Sequence, residues 1–235
     1  MRFLPSKRAE LDKDPQDIKA MFSATARRYD LVNSLVSLGQ VRAWRLEVIE
    51  ALAPQAGEVI LDLAAGTGSS SVPIAAAGAV VIPVDLTEAM AVCGKRFHPD
   101  QPFTVGDGHQ LPFGDATFDA ATMSFGLRNV CDPTIVLAEL FRVVRPGGTI
   151  VICECSTPTS RLIRKLVKIW LRRGLPILSR LFSSNAPAYA YLGESILAWR
   201  SQHELAIMFE NAGFTQIQWR NLSFGIVALH RATRP

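Results

Sequence analysis

An acidic, glycine-rich turn is the segment of this sequence best suited to chemistry. The stretch Asp62-Leu-Ala-Ala-Gly-Thr-Gly68 ends one short apolar run, and Asp85 ends the next. Glycines let a ligand approach the backbone closely, and free amides at the start of a helix donate hydrogen bonds. A carboxylate at the end of the second strand can accept both hydroxyls of a ribose. Together these features predict a nucleoside site.

The turn is a poor match for a dinucleotide. Dinucleotide sites require a third glycine, but here the chain continues Gly66-Thr-Gly68-Ser-Ser-Ser71. The Asp62 carboxylate would repel a pyrophosphate, whereas it would attract a cation. A nucleoside that carries an amino acid and a sulfonium therefore fits the charge pattern better than NAD does.

Apolar runs alternate with helical segments on both sides of this turn. Strands are predicted at residues 58–62, 79–85, 103–105, 118–124 and 149–153, and helices at 69–77, 87–97, 133–144 and 202–212. Because these strands are apolar on both faces, the pattern predicts a buried parallel sheet with right-handed crossovers. Two last strands, 215–221 and 224–232, are close enough in sequence for an antiparallel hairpin.

Composition excludes several classes of protein. Of 235 residues 49% are hydrophobic and 20% charged, which excludes general disorder. The net charge of +4 is too small for a dedicated nucleic-acid binder. Apolar runs too short to span a bilayer and the lack of a visible secretory leader favour a cytoplasmic protein. The cysteine spacing suggests no metal site, because the one close pair, Cys153 and Cys155, has no histidine nearby.

The turn and the strand-end acid resemble those of class I S-adenosylmethionine-dependent methyltransferases. This resemblance implies an α/β fold: a Rossmann-like three-layer sandwich with a mostly parallel sheet and an antiparallel C-terminal hairpin. One domain, 1–235, would comprise a helical cap (15–53), a cofactor-binding core (58–155), a helical insertion or lid (157–200) and a closing helix and hairpin (201–235). The cofactor would be S-adenosyl-L-methionine, and its implied binding residues are Asp62, Gly66, Thr67, Gly68, Asp85, Leu86, Met90, Asp107, Gly108 and Ser124.

Five further blocks narrow the resemblance to the ubiquinone/menaquinone biosynthesis C-methyltransferase family. They are Tyr29-Asp-Leu-Val-Asn33, Ser124-Phe-Gly-Leu-Arg-Asn-Val130, Arg142-Val-Val-Arg-Pro-Gly-Gly148, Tyr189-Ala-Tyr-Leu-Gly-Glu-Ser-Ile196 and Asn221-Leu-Ser-Phe-Gly-Ile-Val-Ala-Leu-His230. The likeness implies C-methylation of an isoprenoid quinol, and the menaquinone branch, whose acceptor is demethylmenaquinol, is most similar. Val41 stands where the first signature commonly has histidine, so no imidazole base is expected there.

The same resemblance suggests residues for the reaction. Arg128 follows the fourth predicted strand, and its cation could stabilise an acceptor phenolate while Asn129 orients its neighbour. Tyr29 and Asp30 are candidates from the N-terminal cap. A structural ion pair remains an alternative for Arg128. Other open readings are a methyltransferase for another lipophilic aromatic or quinol acceptor (ubiquinone-type, sterol, tocopherol-type or polyketide), an RNA-binding methyltransferase, and a non-catalytic scaffold.

The segment 161–173 has a two-sided pattern. Basic residues at 161, 164, 165, 168 and 172 recur at helical spacing, while Leu, Ile, Val and Trp residues occupy the other face. Such a helix can lie on an anionic membrane surface, or form a lid through which an isoprenoid tail enters. The alternative is that it only covers the protein core. We therefore expect a cytoplasmic protein that contacts the inner face of the cell membrane peripherally.

Overall fold

Within the described part of the chain, seven strands form one sheet. The computed structural model describes residues 11–26, 29–177 and 186–235. The strands are β1 (Val59–Leu63), β2 (Val80–Asp85), β3 (Thr104–Val105), β4 (Phe118–Ser124), β5 (Val144–Cys155), β6 (Thr215–Leu222) and β7 (Val227–Thr233). Their order in the sheet is β3-β2-β1-β4-β5-β7-β6. Strands β1 to β5 pair in parallel, and β7 is antiparallel to both β5 and β6.

The helices lie before, between and after the strands. They are α1 (Pro15–Thr25), α2 (Tyr29–Val36), α3 (Val41–Leu52), α4 (Ser71–Ala76), α5 (Glu88–Phe97), α6 (Pro133–Val143), α7 (Arg161–Ile169), α8 (Ala186–Leu197) and α9 (Gln202–Asn211). Asp14 and Asp132 cap α1 and α6 with their side chains, and each helix has proline in its first turn. Ser201 and Glu204 form a capping box at α9.

Two apolar layers enclose the sheet. On one side, α6 and α9 pack Leu137, Leu140 and Phe209 against it. On the other side, α3 and α4 contribute Val48 and Ile74. The described residues thus form the three-layer sandwich with the antiparallel C-terminal hairpin that the sequence predicts. Of the predicted lid, residues 178–185 lie outside the described part of the chain.

One strand is longer than the sequence predicts. Pro146-Gly147-Gly148 is a typical turn, so the strand was expected to begin at Thr149, yet β5 begins at Val144. Its pairing with β4 shifts register between Phe118 and Ala120, because the extra residues form a bulge. A Cβ atom on Gly148 would lie 2.6 Å from the Asp119 carbonyl oxygen, so the bulge requires glycine.

Candidate functional site

A cleft with an empty volume of about 770 Å³ lies at the carboxyl end of the parallel strands. It lies at the end of β1, whose neighbours in the sheet are β2 and β4. The chain connections turn in opposite directions on the two sides of β1, and ligands usually bind at such a point of a parallel sheet. Many of the predicted site residues meet in it. Those lining the cleft are Gly66, Asp85, Leu86, Met90, Asp107, Gly108, Ser124 and Asn129.

Asp85 is the best-positioned acid of the cleft. Its two carboxylate oxygens accept one backbone amide each, from Gly66 and from Thr87, both at 2.8 Å. Burial raises the pKa of Asp85 above its usual value, although these hydrogen bonds oppose the shift. Each carboxylate oxygen has a second lone pair, so the side chain can also accept a pair of ligand hydroxyls.

The glycine-rich turn joins β1 to α4 in a left-handed conformation. Gly66 and Gly68 have φ of 58° and 79°, and Ala64, at the start of the turn, has φ of 56°. An alanine in this region costs about 1 kcal/mol of backbone energy. The Ala64 methyl lies against Gly126, where an added Cβ atom would be only 2.5 Å away. The turn therefore forms with an alanine at position 64, but it requires glycine at 126.

Asp62 does not line the cleft, contrary to the expectation that it meets a cationic ligand directly. Its side chain is fully buried behind the turn. Oδ2 accepts the hydroxyls of Ser70 and Ser71, at 2.8 and 2.6 Å, and Oδ1 has no partner among the described residues. Burial raises the pKa of Asp62 to about 6. The carboxyl group therefore holds the start of α4 and acts on the cleft only through its charge.

Asp30 also has a different position from the one expected. Its carboxylate accepts the hydroxyls of Thr67 at 2.5 Å and Ser69 at 2.8 Å, and it pairs with Arg45 at 3.2 Å. These bonds tie α2 and α3 to the glycine-rich turn. Asp30 and Thr67 therefore shape the turn without lining the cleft, as does Gly68, which leaves room for the Phe103 ring. The Tyr29 side chain lies outside the described residues.

Apolar and acidic groups close the part of the cleft next to Asp85. Leu86 and the buried Met90 form its wall. Asp107 accepts the backbone amide and Nδ1 of His109, at 2.9 and 2.7 Å. Burial raises the pKa of Asp107, but these bonds outweigh it and the pKa lies below its usual value. The Asp132 amide lies 3.2 Å from Nε2 of His109, so the ring is held between Asp107 and the start of α6.

Arg128 lies beneath the cleft in a buried ion pair, although the sequence suggested that its cation faces an acceptor. Nη1 is 2.7 Å from Glu154 Oε1 and 2.7 Å from the Phe125 carbonyl oxygen. The Arg128 backbone amide donates to the other Glu154 oxygen at 3.1 Å. The side chains of the pair are 8% and 1% exposed. This geometry supports the alternative interpretation, in which Arg128 forms a structural ion pair.

Asn129 lines the cleft and connects it to the insertion. Its amide nitrogen donates to the Phe125 carbonyl at 3.1 Å, and its oxygen accepts the Tyr191 hydroxyl of α8 at 3.2 Å. Burial raises the pKa of Tyr191 to about 12, so this phenol stays protonated at neutral pH. The sequence places Tyr191 in a family block but gives no sign of its contact with Asn129.

Helix α1 supplies cleft residues that the sequence did not single out. Ile18 and Phe22 line the cleft from this helix, together with Lys13 just before it. Met21 and Ile18 are buried on one face of α1, and this apolar spacing was the available signal. No local pattern marks Lys13, because only the packing of α1 brings it there.

Comparison with known proteins agrees with this architecture. The chain matches the ubiE/COQ5 methyltransferase family over residues 10–234. It is 53% identical over 224 residues to the demethylmenaquinone methyltransferase of Streptomyces avermitilis, covering 95% of this chain and 97% of that protein. The demethylmenaquinone methyltransferase of Mycobacterium sp. (strain JLS) is 50% identical over 228 residues, with 97% and 98% covered.

Solved structures show the same fold at low sequence identity. An S-adenosylmethionine-dependent methyltransferase from Thermotoga maritima has a TM-score of 0.67 at 21% identity, covering 93% of this chain and all (100%) of that chain. A Haemonchus contortus phosphoethanolamine N-methyltransferase, solved with S-adenosylhomocysteine, has a TM-score of 0.58 at 15% identity, with 81% and 52% covered. The fold is thus that of the class I methyltransferases, and the chain belongs to the ubiE/COQ5 methyltransferase family.

Proposed function

We propose that the protein methylates a ring carbon of demethylmenaquinol, with S-adenosylmethionine as methyl donor, to give menaquinol in the last step of menaquinone biosynthesis. The observation that carries the proposal is one continuous cleft with two chemically different ends. A polar end holds Asp85, and a mainly apolar end includes Ile18, Phe125 and Val130. The relatives named for this reaction cover nearly the whole chain.

The polar end fits the methyl donor. Asp85 can accept the ribose hydroxyls, and the wall of Leu86 and Met90 fits the adenine ring. Ser124 lines the cleft with a buried hydroxyl that has no partner among the described residues, so a ligand could satisfy it. When bound, S-adenosylmethionine supplies an activated methyl group on a cationic sulfur. The negative charge of Asp62 behind the turn favours that cation.

The apolar end fits a naphthoquinol ring. Phe125 and Val130 can pack against it, and Asn129 is held in one orientation by Phe125 and Tyr191. A fixed wall of this kind excludes water and holds the acceptor carbon near the donor. Such positioning can lower a barrier by about 7–11 kcal/mol. These residues therefore contribute by placing the acceptor rather than by moving protons.

Turnover of a short-tailed demethylmenaquinol tests this function. Under anaerobic conditions, we expect the purified protein to bind S-adenosylmethionine and to form the C-methylated quinol, measured by mass spectrometry of the extracted product. A short-tailed ubiquinone precursor and a tocopherol-type phenol should react at least tenfold more slowly. Equal or faster methylation of either of these would assign the enzyme to the other acceptor class.

Helix α7 offers a membrane-facing surface for an acceptor with an isoprenoid tail. No helix among the described residues is long and apolar enough to cross a bilayer. Instead, α7 and the turn after it expose Leu162, Leu166, Ile169 and Trp170, by 40–65% of their surface. Among the apolar residues of α7, only Ile163 and Val167 are partly buried. Because the apolar stripe adjoins exposed Arg and Lys residues, an anionic bilayer is its best partner.

Charge reversal on α7 should weaken vesicle binding. We expect the protein to co-sediment with vesicles that contain phosphatidylglycerol and much less with neutral phosphatidylcholine vesicles. Lys165→Glu plus Lys168→Glu should reduce co-sedimentation at least tenfold, since each basic residue near an anionic surface contributes about 1 kcal/mol. Leu166→Ser should reduce it by about three- to tenfold through lost apolar contact.

The matched control reverses two charges elsewhere. Lys95→Glu plus Arg96→Glu changes the net charge equally at the exposed end of α5 and should retain most of the binding. If both double variants lose binding equally, the effect is one of net charge and α7 is not the docking surface. If neither double variant loses vesicle binding, the protein does not use these charges to reach the membrane.

A further inference from the structure

Lys13 is a basic residue that lines the cleft. It lies just before the Asp14 cap of α1 and shares the cleft wall with Asn129 and Cys131. Its ammonium group is 5.3 Å from the centroid of the Trp199 ring, which follows α8. The N-terminal cap and the insertion thus meet around one lysine at the acceptor end of the site.

Within the part of the chain that the structure describes, this cation has no carboxylate in ion-pair contact. Burial, and then the positive charges of Arg200 and Arg128, lower the pKa of Lys13. Glu154 opposes this shift from a distance, but its carboxylate is already paired with Arg128. Cys131 also favours the charged form, and among the described residues no carboxylate forms an ion pair with Lys13. A partly desolvated cation of this kind gains most when an anionic ligand arrives.

The reaction proposed above creates such an anion. A ring carbon of a quinol becomes a good nucleophile when a ring hydroxyl loses its proton to solvent and the electron pair stays on the oxygen. Arg128 is committed to Glu154 and to the Phe125 carbonyl, so its position beneath the cleft suits it to shape the wall. Lys13 is a cation that does line the cleft.

We propose that Lys13 binds the ionised hydroxyl of the acceptor and so stabilises the reactive phenolate form. The inference rests on the proposed function and deepens it by naming the acceptor-side cation. The Trp199 ring lies beneath the lysine ammonium and favours its charge through a cation–π contact. The nucleoside end of the cleft is separate, so loss of Lys13 should leave donor binding intact.

The test compares Lys13→Met with Lys13→Arg. For short-tailed demethylmenaquinol, Lys13→Met should lower kcat at neutral pH by about 10²-fold, the effect of removing one donor to a developing anion. The rising limb of its kcat–pH profile should move about 1–3 pH units to higher pH, because the phenolate loses its cation. Lys13→Arg should restore the wild-type midpoint, and S-adenosylhomocysteine affinity should stay within threefold in both variants.

A spectroscopic probe gives a second, non-kinetic measurement. In the presence of S-adenosylhomocysteine, 1-naphthol bound to the wild-type protein should ionise at lower pH than free 1-naphthol, as followed by naphtholate absorbance. The shift should disappear in Lys13→Met and in Lys13→Gln, and persist in Lys19→Met, a control on the exposed face of α1.

The outcomes separate the two proposals. If the wild-type protein methylates the quinol but Lys13→Met keeps the same pH midpoint and the same naphthol ionisation, the role of Lys13 is overturned and the function stands. If the wild-type protein binds S-adenosylhomocysteine but methylates no quinol, the proposed function itself fails. An unshifted naphthol in the wild-type complex also counts against Lys13, whatever the stability of its variants.

Discussion

Asp85→Ala should weaken S-adenosylhomocysteine binding by about 10²–10³-fold, as measured by isothermal titration calorimetry. The physical reason is the loss of two charge-assisted hydrogen bonds to the ribose, each contributing about 1.5–3 kcal/mol. The variant also frees the Gly66 and Thr87 amides, which Asp85 now holds at 2.8 Å. Asp85→Asn keeps the size of the side chain but turns a donor toward one of these amides, so its affinity for S-adenosylhomocysteine should fall nearly as far.

Folding and net charge must be separated from this loss. Asp100→Ala removes an exposed acid on the loop after α5 and should bind within twofold of the wild-type protein. Thermal unfolding without ligand should show a cooperative transition for every variant, at a lower temperature in Asp85→Ala because the Gly66 and Thr87 amides lose their acceptor. If Asp85→Ala binds S-adenosylhomocysteine within threefold of wild type, the cleft does not hold the ribose as proposed. A wild-type protein that binds NAD but not S-adenosylhomocysteine would falsify the assignment of S-adenosylmethionine as the ligand of this site.

The sequence predicts correctly where two strands end, β2 at Asp85 and β4 at Ser124. A parallel strand buried on both faces reads as an apolar run, and its carboxyl end is marked by the first polar residue. Asp85 and Ser124 end such runs, and both line the cleft. Asp62 lies within β1, followed by Leu63, so its side chain points into the protein and accepts hydroxyls from α4. The predicted end of β1 is one residue too early, and the contacts of Asp62 therefore differ from those predicted.

Contacts between distant segments were not predictable from local patterns. Glu154 is 26 positions from Arg128, and no motif pairs them. Tyr191 reaches Asn129 from an insertion, and Lys13 arrives by the packing of α1. The extension of β5 through Pro146-Gly147-Gly148 was also missed, because a bulge and a turn use the same residue types. Tertiary packing decides each of these features.

Removing Glu154 should strongly destabilise the fold. Its carboxylate accepts the Arg128 guanidinium and the backbone amides of Arg128 and Cys155. Glu154→Leu would leave the Arg128 cation buried without its carboxylate, which typically costs about 3–5 kcal/mol. We expect this loss in the free energy of unfolding from urea titration. Glu139→Leu, which breaks the more exposed pair with Arg142, should cost less.

Removing both charges should restore much of the stability. In Arg128→Met plus Glu154→Leu, neither charge is buried alone, so we expect at least half of the single-variant loss to be recovered. A double variant as unstable as Glu154→Leu would mean that the lost amide contacts, not the unpaired cation, cause the damage.

The same double variant separates structure from catalysis at Arg128. If the guanidinium only shapes the wall of the cleft, the refolded double variant should bind S-adenosylhomocysteine normally and keep kcat within about tenfold of the wild-type value. If Arg128 stabilises charge in the reaction, kcat should fall by about 10²–10³-fold while donor affinity is unchanged. Because Arg128 is held by Glu154 and the Phe125 carbonyl and does not line the cleft, whereas Lys13 does, we expect the smaller loss.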